Sequence, residues 1–394
     1  MLLAALPPPS LAAGAILAFV VALFGLVQGL VGLILLWRFL RAGRAAATEP
    51  PAPAKALPAI TILKPLHGDE PRLEEALTSF FMQDYPQFQI VFGVQSANDP
   101  AIAVVEHLRA RFPTTDTCLV IDATQHGTNR KVSNLINMMG KARHDLLVLA
   151  DSDIHAAPDY LLKLAQSLAL PGTGMATTLY TGLPATRGFI PRLGAAQINY
   201  AFLPGVLIGR AFGREDGLGA TMATTRAVLD RIGGFPALAN HIADDAMLAA
   251  KVRALGLAIR LAPTIPATTV AEHSLGDLCR RELRWARVNR SLAPVPYAAS
   301  VIQYPLVFAL IGLTLMPGSS LALAGFALAW IFRALIARGM DRALGLGAPA
   351  PALLLPLRDL LSAVAVVKSF TGHTVHWRGE VLAVDRPSPF PPKA

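Results

Sequence analysis

The stretch HDLLVLADSDIHAAPDY (144–160) holds an apolar run, DLLVLA, that ends in Asp151-Ser152-Asp153. A short apolar run bounded by polar residues is consistent with a buried strand. This one delivers two like charges to the point where a core element meets solvent. Two carboxylates so placed can hold a divalent cation, which takes hard oxygen ligands. The competing reading is a helix cap by Asp153 or Asp159, with Pro158 at the helix start.

Outward from this run, AITIL (59–63), QIVFGV (89–94) and CLVI (118–121) have the same texture. Between them, 70–82, 101–112 and 129–141 carry helical spacing, with Pro71 and Pro100 near helix starts. Strands alternating with helices at this spacing predict an α/β domain with a parallel sheet. In such sheets ligands collect at the carboxyl ends of the strands, where Asp151 and Asp153 stand.

The rest of the chain is more apolar. Of 394 residues, 53% are hydrophobic and 15% charged, with a mean hydropathy of +0.47, which suits a membrane protein with a sizeable aqueous part. The net charge of +9 favours anionic lipid or phosphorylated substrates. No basic run with interleaved aromatics is present, so nucleic acid is not expected as a partner. Cys118 and Cys279 lie too far apart in sequence for a cysteine metal motif or a disulfide scaffold.

Residues 11–36 contain no charge and one amide, Gln28, and roughly 20 apolar residues suffice to cross a bilayer. A transmembrane anchor is therefore expected over 11–37. A signal peptide would want a basic residue ahead of the run, and 1–10 has none. Arg38, Arg41 and Arg44 follow it, so the N-terminus is expected outside and the next domain in the cytoplasm. Residues 45–58 form a Pro/Ala linker, and 59–292 hold the α/β domain. A membrane region is expected over 296–372, with 299–316 and 320–337 as a helical hairpin broken at Pro317-Gly318. The run 351–370 carries Arg358 and Asp359 in its middle, so it either spans, lies at the interface or packs within protein. Residues 373–394 are a tail, whose end RPSPFPPKA has the composition of a disordered segment.

Three further constellations bear on chemistry. In GTNRKVSNLINMM (127–139), Gly127 permits close backbone approach, and Lys131 and Asn134 fall in the first turns of a helix. A helix N-terminus beside a lysine suits a phosphate, whereas an ordinary amphipathic helix would leave Lys131 solvated. In HIADDAMLAAKVRALG (241–256), Asp244 and Asp245 open a helix. Capping accounts for one acid, and the other could act as general base toward a hydroxyl. In RRELRWARVNR (280–290), Arg281, Arg284 and Trp285 share one helical face. Guanidinium groups suit phosphate oxygens and an indole can stack on a sugar or base, while a basic helix meeting anionic headgroups is the alternative.

In combination, the DSD motif, the later DD opening a helix and R-x-x-R-W as RELRW resemble the signature of family 2 and family 21 glycosyltransferases. ILKPLHG (62–68), FFMQDYPQFQIVFGVQSANDPA (80–101) and GATMATTRAVLDRIGGF (219–235) resemble the ceramide glucosyltransferase family. LPLRDLLSAV (355–364) and VHWRGE (375–380) are similar to the bacterial hopanoid-biosynthesis glycosyltransferases. This resemblance implies a GT-A, Rossmann-like nucleotide-diphospho-sugar transferase domain with an N-terminal transmembrane helix and C-terminal membrane helices, multi-pass in the cell inner membrane. It implies inverting transfer from a UDP-sugar, N-acetylglucosamine or glucose, to a membrane lipid hydroxyl, on a hopanoid such as bacteriohopanetetrol or on ceramide. Carried over by position, Asp151 and Asp153 hold a divalent cation, Mg²⁺ or Mn²⁺, and Asp151 faces the donor diphosphate. Asp245 is the base with Asp244 beside it; Lys131 and Asp99 contact the nucleotide; Arg281, Arg284 and Trp285 serve the leaving diphosphate and the acceptor. A polysaccharide synthase would bring more membrane spans, and an inactive nucleotide-sugar-binding scaffold would have lost an acid.

Overall fold

A computed structural model describes residues 8–47, 57–347, 349–377 and 380–384. The chain divides into two compact units: Met1–Arg38, Thr186–Ile208 and Glu272–Ala394 in one, Phe39–Ala185 and Gly209–Ala271 in the other. Elements are numbered in chain order through both.

The second unit is the α/β domain. Its strands are β1 (Ile60–Pro65), β2 (Phe88–Val94), β3 (Asp116–Ile121), β4 (Leu146–Ala150), β5 (Ile154–His155), β6 (Thr173–Thr177), β7 (Thr181–Pro184), β8 (Thr221–Thr225), β9 (Ala258–Leu261) and β10 (Ala267–Val270). Its helices are α2 (Leu73–Phe81), α3 (Ala101–Arg111), α4 (Arg130–Met139), α5 (Tyr160–Ala169), α8 (Arg226–Arg231) and α9 (Asp244–Ala254). The main sheet runs β3-β2-β1-β4-β8-β6-β9. Successive residues of its central strands feed two different cores. Ile60, Ile62, Ile90, Phe92 and Val148 pack with Leu77, Phe80 and Val105 of α2 and α3 on one face. Leu63, Val91, Leu147 and Leu149 pack with Val132, Leu135 and Leu248 of α4 and α9 on the other. Burial on both faces is why these strands are continuous apolar runs rather than alternating ones.

The sheet is mixed, not wholly parallel as the alternation predicts. β1 pairs in parallel with β2 and β4, but β8 lies antiparallel between β4 and β6. The chain runs outward from β1 through β2 to β3 and then returns to the other side of β1 at β4. That reversal opens a crevice at the carboxyl ends of β1 and β4. A three-stranded sheet, β5-β10-β7, begins with β5 just beyond β4 in sequence and pairs it with β10.

The first unit is helical and apolar. α1 (Pro9–Ala47) exposes Leu17, Leu23, Phe24 and Trp37, as a helix surrounded by lipid does. Its glycines let other helices approach closely: a Cβ at Gly25 would lie 2.2 Å from the Ile302 carbonyl oxygen, and Phe19 fills the space beside Gly312. α6 (Phe189–Gln197) continues through a π-helical turn (Ile198–Phe202) into α7 (Leu203–Ala211). α10 (Leu275–Leu292), α11 (Pro294–Ala299), α12 (Pro305–Leu315), α13 (Ser320–Leu344), α14 (Leu355–Ser369) and the hairpin β11 (Thr374–Trp377)–β12 (Glu380–Ala383) follow. Arg287 and Arg290 of α10 donate to the carbonyls of Thr371, Gly372 and Thr374, tying the hairpin to that helix.

Among the described residues, Pro9–Arg44 and Ser320–Leu344 are long and apolar enough to cross a membrane. The straight helix expected over 299–316 is corrected. Pro294–Gln303 and Pro305–Leu315 meet at 66°, because Pro305 has no N–H to donate and forces Tyr304 out of helical backbone. With 11 residues at about 1.5 Å each, α12 covers roughly half of a ~30 Å hydrocarbon core. Within 351–370, Arg358 and Asp359 are both buried in protein, which explains how that run tolerates charge. Most of the expected linker (48–56) and the end of the tail (385–394) lie outside the described residues.

Candidate active site

In the α/β unit two of the acids foreseen from sequence, Asp151 and Asp244, meet one ammonium group. Asp151 stands at the end of β4, and Lys131 Nζ lies 2.6 Å from its Oδ1. The same Nζ lies 3.7 Å from Asp244 Oδ2 at the start of α9. Lys131 comes from the first turn of α4, where Asn129 caps the helix by accepting from Val132 N–H. Asn129 also donates to the His241 carbonyl at 2.8 Å, joining the α4 and α9 entrances. Gly127 belongs to this seam, since a Cβ there would sit 2.5 Å from the Ala239 carbonyl oxygen. Burial alone would lower the Lys131 pKa, but Asp151 and Asp244 outweigh it and hold the ammonium charged.

Neither acid of the DD pair is a conventional cap. Ala243 is the N-cap of α9 and offers no side chain. Asp245 accepts from the adjacent Ala246 N–H at 2.7 Å. A Cβ at Gly219 would lie 3.1 Å from Asp245 Oδ2, and one at Gly217 would lie 2.6 Å from its carbonyl oxygen. These two glycines let the segment before β8 pass close to the acid. Burial, then the charge of Asp244, raises the Asp245 carboxyl above the ordinary range. Asp153 accepts from the Thr268 hydroxyl of β10 at 2.6 Å. It caps no helix: Asp159 is the N-cap of α5, without a side-chain bond to that helix's N–H groups.

Asp151 and Asp153 fit a divalent cation. Burial, then Asp151, pushes the Asp153 carboxyl up to about 7, so a second positive charge here would be welcome. Among the described residues no three His, Cys, Asp or Glu side chains converge on one point. Two carboxylates with phosphate and water completing the shell is how Mg²⁺ is ordinarily held.

Lys64, not singled out from sequence, lies under this strand end. It is fully buried on β1, donates to the Asp151 carbonyl at 2.5 Å and stands 3.8 Å over the Phe80 ring. Burial, against the pull of Asp153 and Asp151, lowers it to about 7. A lysine inside the wholly buried run ITILKP is the signal that marks it. Lys64→Met keeps the stem and removes one charge-assisted hydrogen bond from the turn that carries Asp151. If the crevice binds the UDP that the resemblance implies, a loss of about tenfold in UDP affinity is expected, measured by calorimetry; unchanged affinity would show that Lys64 does not support the site.

Asp99 is placed one strand over, in the loop after β2. Its carboxylate accepts from Gly68 N–H at 3.0 and 3.1 Å and from Ala101 N–H at 3.0 Å. It thus orders the loop leaving β1 and opens α3. Asn134 donates to the Gly93 carbonyl at 2.8 Å.

In the helical unit, Arg281, Arg284 and Trp285 follow one another along α10. Arg281 Nη1 lies 2.8 Å from Glu272 Oε2, a charge contact rather than an aligned hydrogen bond, and its guanidinium stands 4.9 Å from the Trp285 ring centre.

The chain is similar to ceramide glucosyltransferase 1 of Caenorhabditis elegans, 24% identical over 242 residues, covering 61% of this chain and 52% of the relative. Against ceramide glucosyltransferase 3 of the same organism it is 23% identical over 339 residues, 83% and 73% of the two chains. Against the ceramide glucosyltransferase of Komagataella phaffii it is 34% identical over 113 residues, 28% and 22% of the two chains. The chain therefore spans about half the length of the first of these relatives. Among solved structures it is similar to the mannosyltransferase PcManGT from Pyrobaculum calidifontis in complex with GDP-Man and Mn2+, at 23% identity and a TM-score of 0.47, covering 92% and 99% of the two chains. Glycosyl transferase family 21 matches residues 17–388, through both units, and the chain belongs to that family.

Proposed function

We propose that this protein is an inverting membrane glycosyltransferase that moves a sugar from a UDP-sugar to the hydroxyl of a membrane lipid. The observation that carries this reading is Lys131, which draws a strand-end carboxylate and a helix-start carboxylate to one ammonium group. A cation suited to phosphate thus stands beside the acid pair that opens α9, whose second member, Asp245, is the candidate base. Asp245 accepts the proton of the acceptor hydroxyl, whose oxygen attacks the anomeric carbon opposite the diphosphate. Lys131 supplies positive charge to the leaving group, with Arg281 and Arg284 assigned to the same anion by their motif. Trp285 is assigned with these arginines to the donor, near the leaving diphosphate and acceptor, and Asp99 to the nucleotide side. A divalent cation held by Asp151 and Asp153 would supply charge neutralisation to the diphosphate.

The narrow form of the proposal has N-acetylglucosamine as the sugar and bacteriohopanetetrol as the acceptor, on the strength of LPLRDLLSAV and VHWRGE. The second reading, glucose to ceramide, is favoured by the names of the relatives. In both, the bilayer supplies the acceptor, and Arg38, Arg41 and Arg44 assign the catalytic side to the cytoplasm of a multi-pass inner-membrane protein.

The test is a matrix of radiolabelled UDP-N-acetylglucosamine and UDP-glucose against bacteriohopanetetrol and ceramide, with purified protein in liposomes. Label on the hopanoid from UDP-N-acetylglucosamine supports the narrow form; label on ceramide from UDP-glucose replaces it with the second. No transfer from either donor, despite UDP binding, would sink the enzymatic reading in favour of a binding scaffold. Asp153→Ala is expected to remove the gain in UDP affinity that Mn²⁺ gives, and an unchanged gain would refute the metal role.

A further inference from the structure

The guanidinium of Arg281 is held on two of its sides. Nη1 meets Glu272, and the guanidinium carbon stands 4.9 Å over the ring of Trp285, one turn along α10. The remaining side, the edge formed by Nε and Nη2, is buried and has no hydrogen-bond partner among the described residues. That edge carries two parallel N–H groups, the fork by which arginine takes two oxygens of a phosphate or carboxylate. Burying such donors without a partner is costly, so an arrangement that keeps them clear of the protein's own acceptors calls for an outside oxyanion.

Glu272 is the residue that decides which edge is left. It lies just before Ser274, whose hydroxyl caps α10 by accepting from Asp277 N–H at 3.1 Å. The cap fixes where α10 begins and so where Glu272 stands relative to Arg281, nine positions on. The carboxylate on Nη1 and the indole ring 4.9 Å from the guanidinium carbon together constrain how the group can turn about its stem.

We infer that Glu272 is a positioning residue, which orients Arg281 so that its Nε/Nη2 edge grips two oxygens of the donor diphosphate. This rests on the assignment of Arg281 to the leaving diphosphate. A phospholipid headgroup offers the same oxyanion chemistry, and the experiment separates the two sources.

UDP and uridine are titrated by calorimetry into the full chain in detergent with Mg²⁺, for the wild type, Glu272→Gln, Glu272→Asp and Arg281→Lys, with Tm recorded for each. Glu272→Gln is expected to weaken UDP about tenfold and leave uridine within about twofold, since uridine has no phosphate to lose. Glu272→Asp recovers part of the loss, and Glu272→Gln adds nothing once Arg281→Lys is present. If Arg281→Lys weakens UDP but Glu272→Gln does not, Glu272 orients nothing and the inference falls alone. If Arg281→Lys leaves UDP unchanged, the assignment beneath it falls too. Equal weakening of UDP and uridine with a lowered Tm would reduce Glu272 to a structural role. A parallel arm sediments the protein with phosphatidylcholine vesicles, with and without phosphatidylglycerol. Loss of binding to the anionic vesicles alone in Glu272→Gln, with UDP intact, would hand the edge to a lipid headgroup and overturn the inference.

Discussion

Asp245→Asn is expected to lower kcat for sugar transfer by roughly a thousandfold, within the range general-base removal ordinarily gives, while UDP affinity stays within a few-fold. The amide keeps the size of the side chain and can still accept from Ala246 N–H, so the start of α9 keeps its shape. What it loses is the capacity to take a proton. The same assignment sets the pH profile. A base works in its deprotonated form, and burial followed by the charge of Asp244 raises the pKa of Asp245. The acid limb of kcat is therefore expected at a higher pH than an ordinary carboxylate would give. Asp244→Asn removes the repelling charge, so the limb should move toward lower pH. An Asp245→Asn protein that folds, binds UDP and turns over normally would sink the assignment.

The second large effect is on stability. Arg358 of α14 meets Glu282 of α10 through two bonds, of 2.7 and 2.5 Å, with both side chains almost wholly buried. It also donates to the Leu193 carbonyl at 3.1 Å and to the Ser362 hydroxyl at 2.9 Å. Arg358→Met leaves Glu282 charged and unpaired in the protein interior, and breaking a buried pair in this way costs about 3–5 kcal/mol. A clear fall in Tm of the detergent-solubilised protein is expected. Removing both charges together, as Arg358→Met with Glu282→Met, should recover most of the loss, because an apolar pair of similar volume fills the site without a stranded ion. Additive losses in the double variant would show that the pair contributes more than mutual compensation.

The strands of the α/β unit were legible because β1, β2 and β4 are buried on both faces, which leaves unbroken apolar runs in the sequence. β8 was not, since TMATT is short and rich in threonine, and its antiparallel insertion depends on a partner far along the chain. The acids were legible as types in a pattern: Asp151, Asp244 and Asp245 do lie about the crevice with Lys131. Which acid faces which partner was not, because that depends on Thr268 for Asp153 and on Gly68 for Asp99, contacts between distant segments. Lys64 went unmarked although its signal is local, a charge inside a run that must be buried. Pro305 was equally visible, yet the length of the apolar run around it outweighed the break that one proline imposes on the backbone.

The bond from α10 to the terminal hairpin has a topological consequence. Arg287 reaches the carbonyls of Thr371 and Thr374, so both ends of the intervening chain lie on one face of any bilayer. A path that leaves a face and returns to it crosses an even number of times. α13 cannot therefore cross alone: if it crosses, the bent pair ending in α12, or α14, must supply the return. A reporter fused after the hairpin reads out the same face as α10, whichever helix carries the chain back.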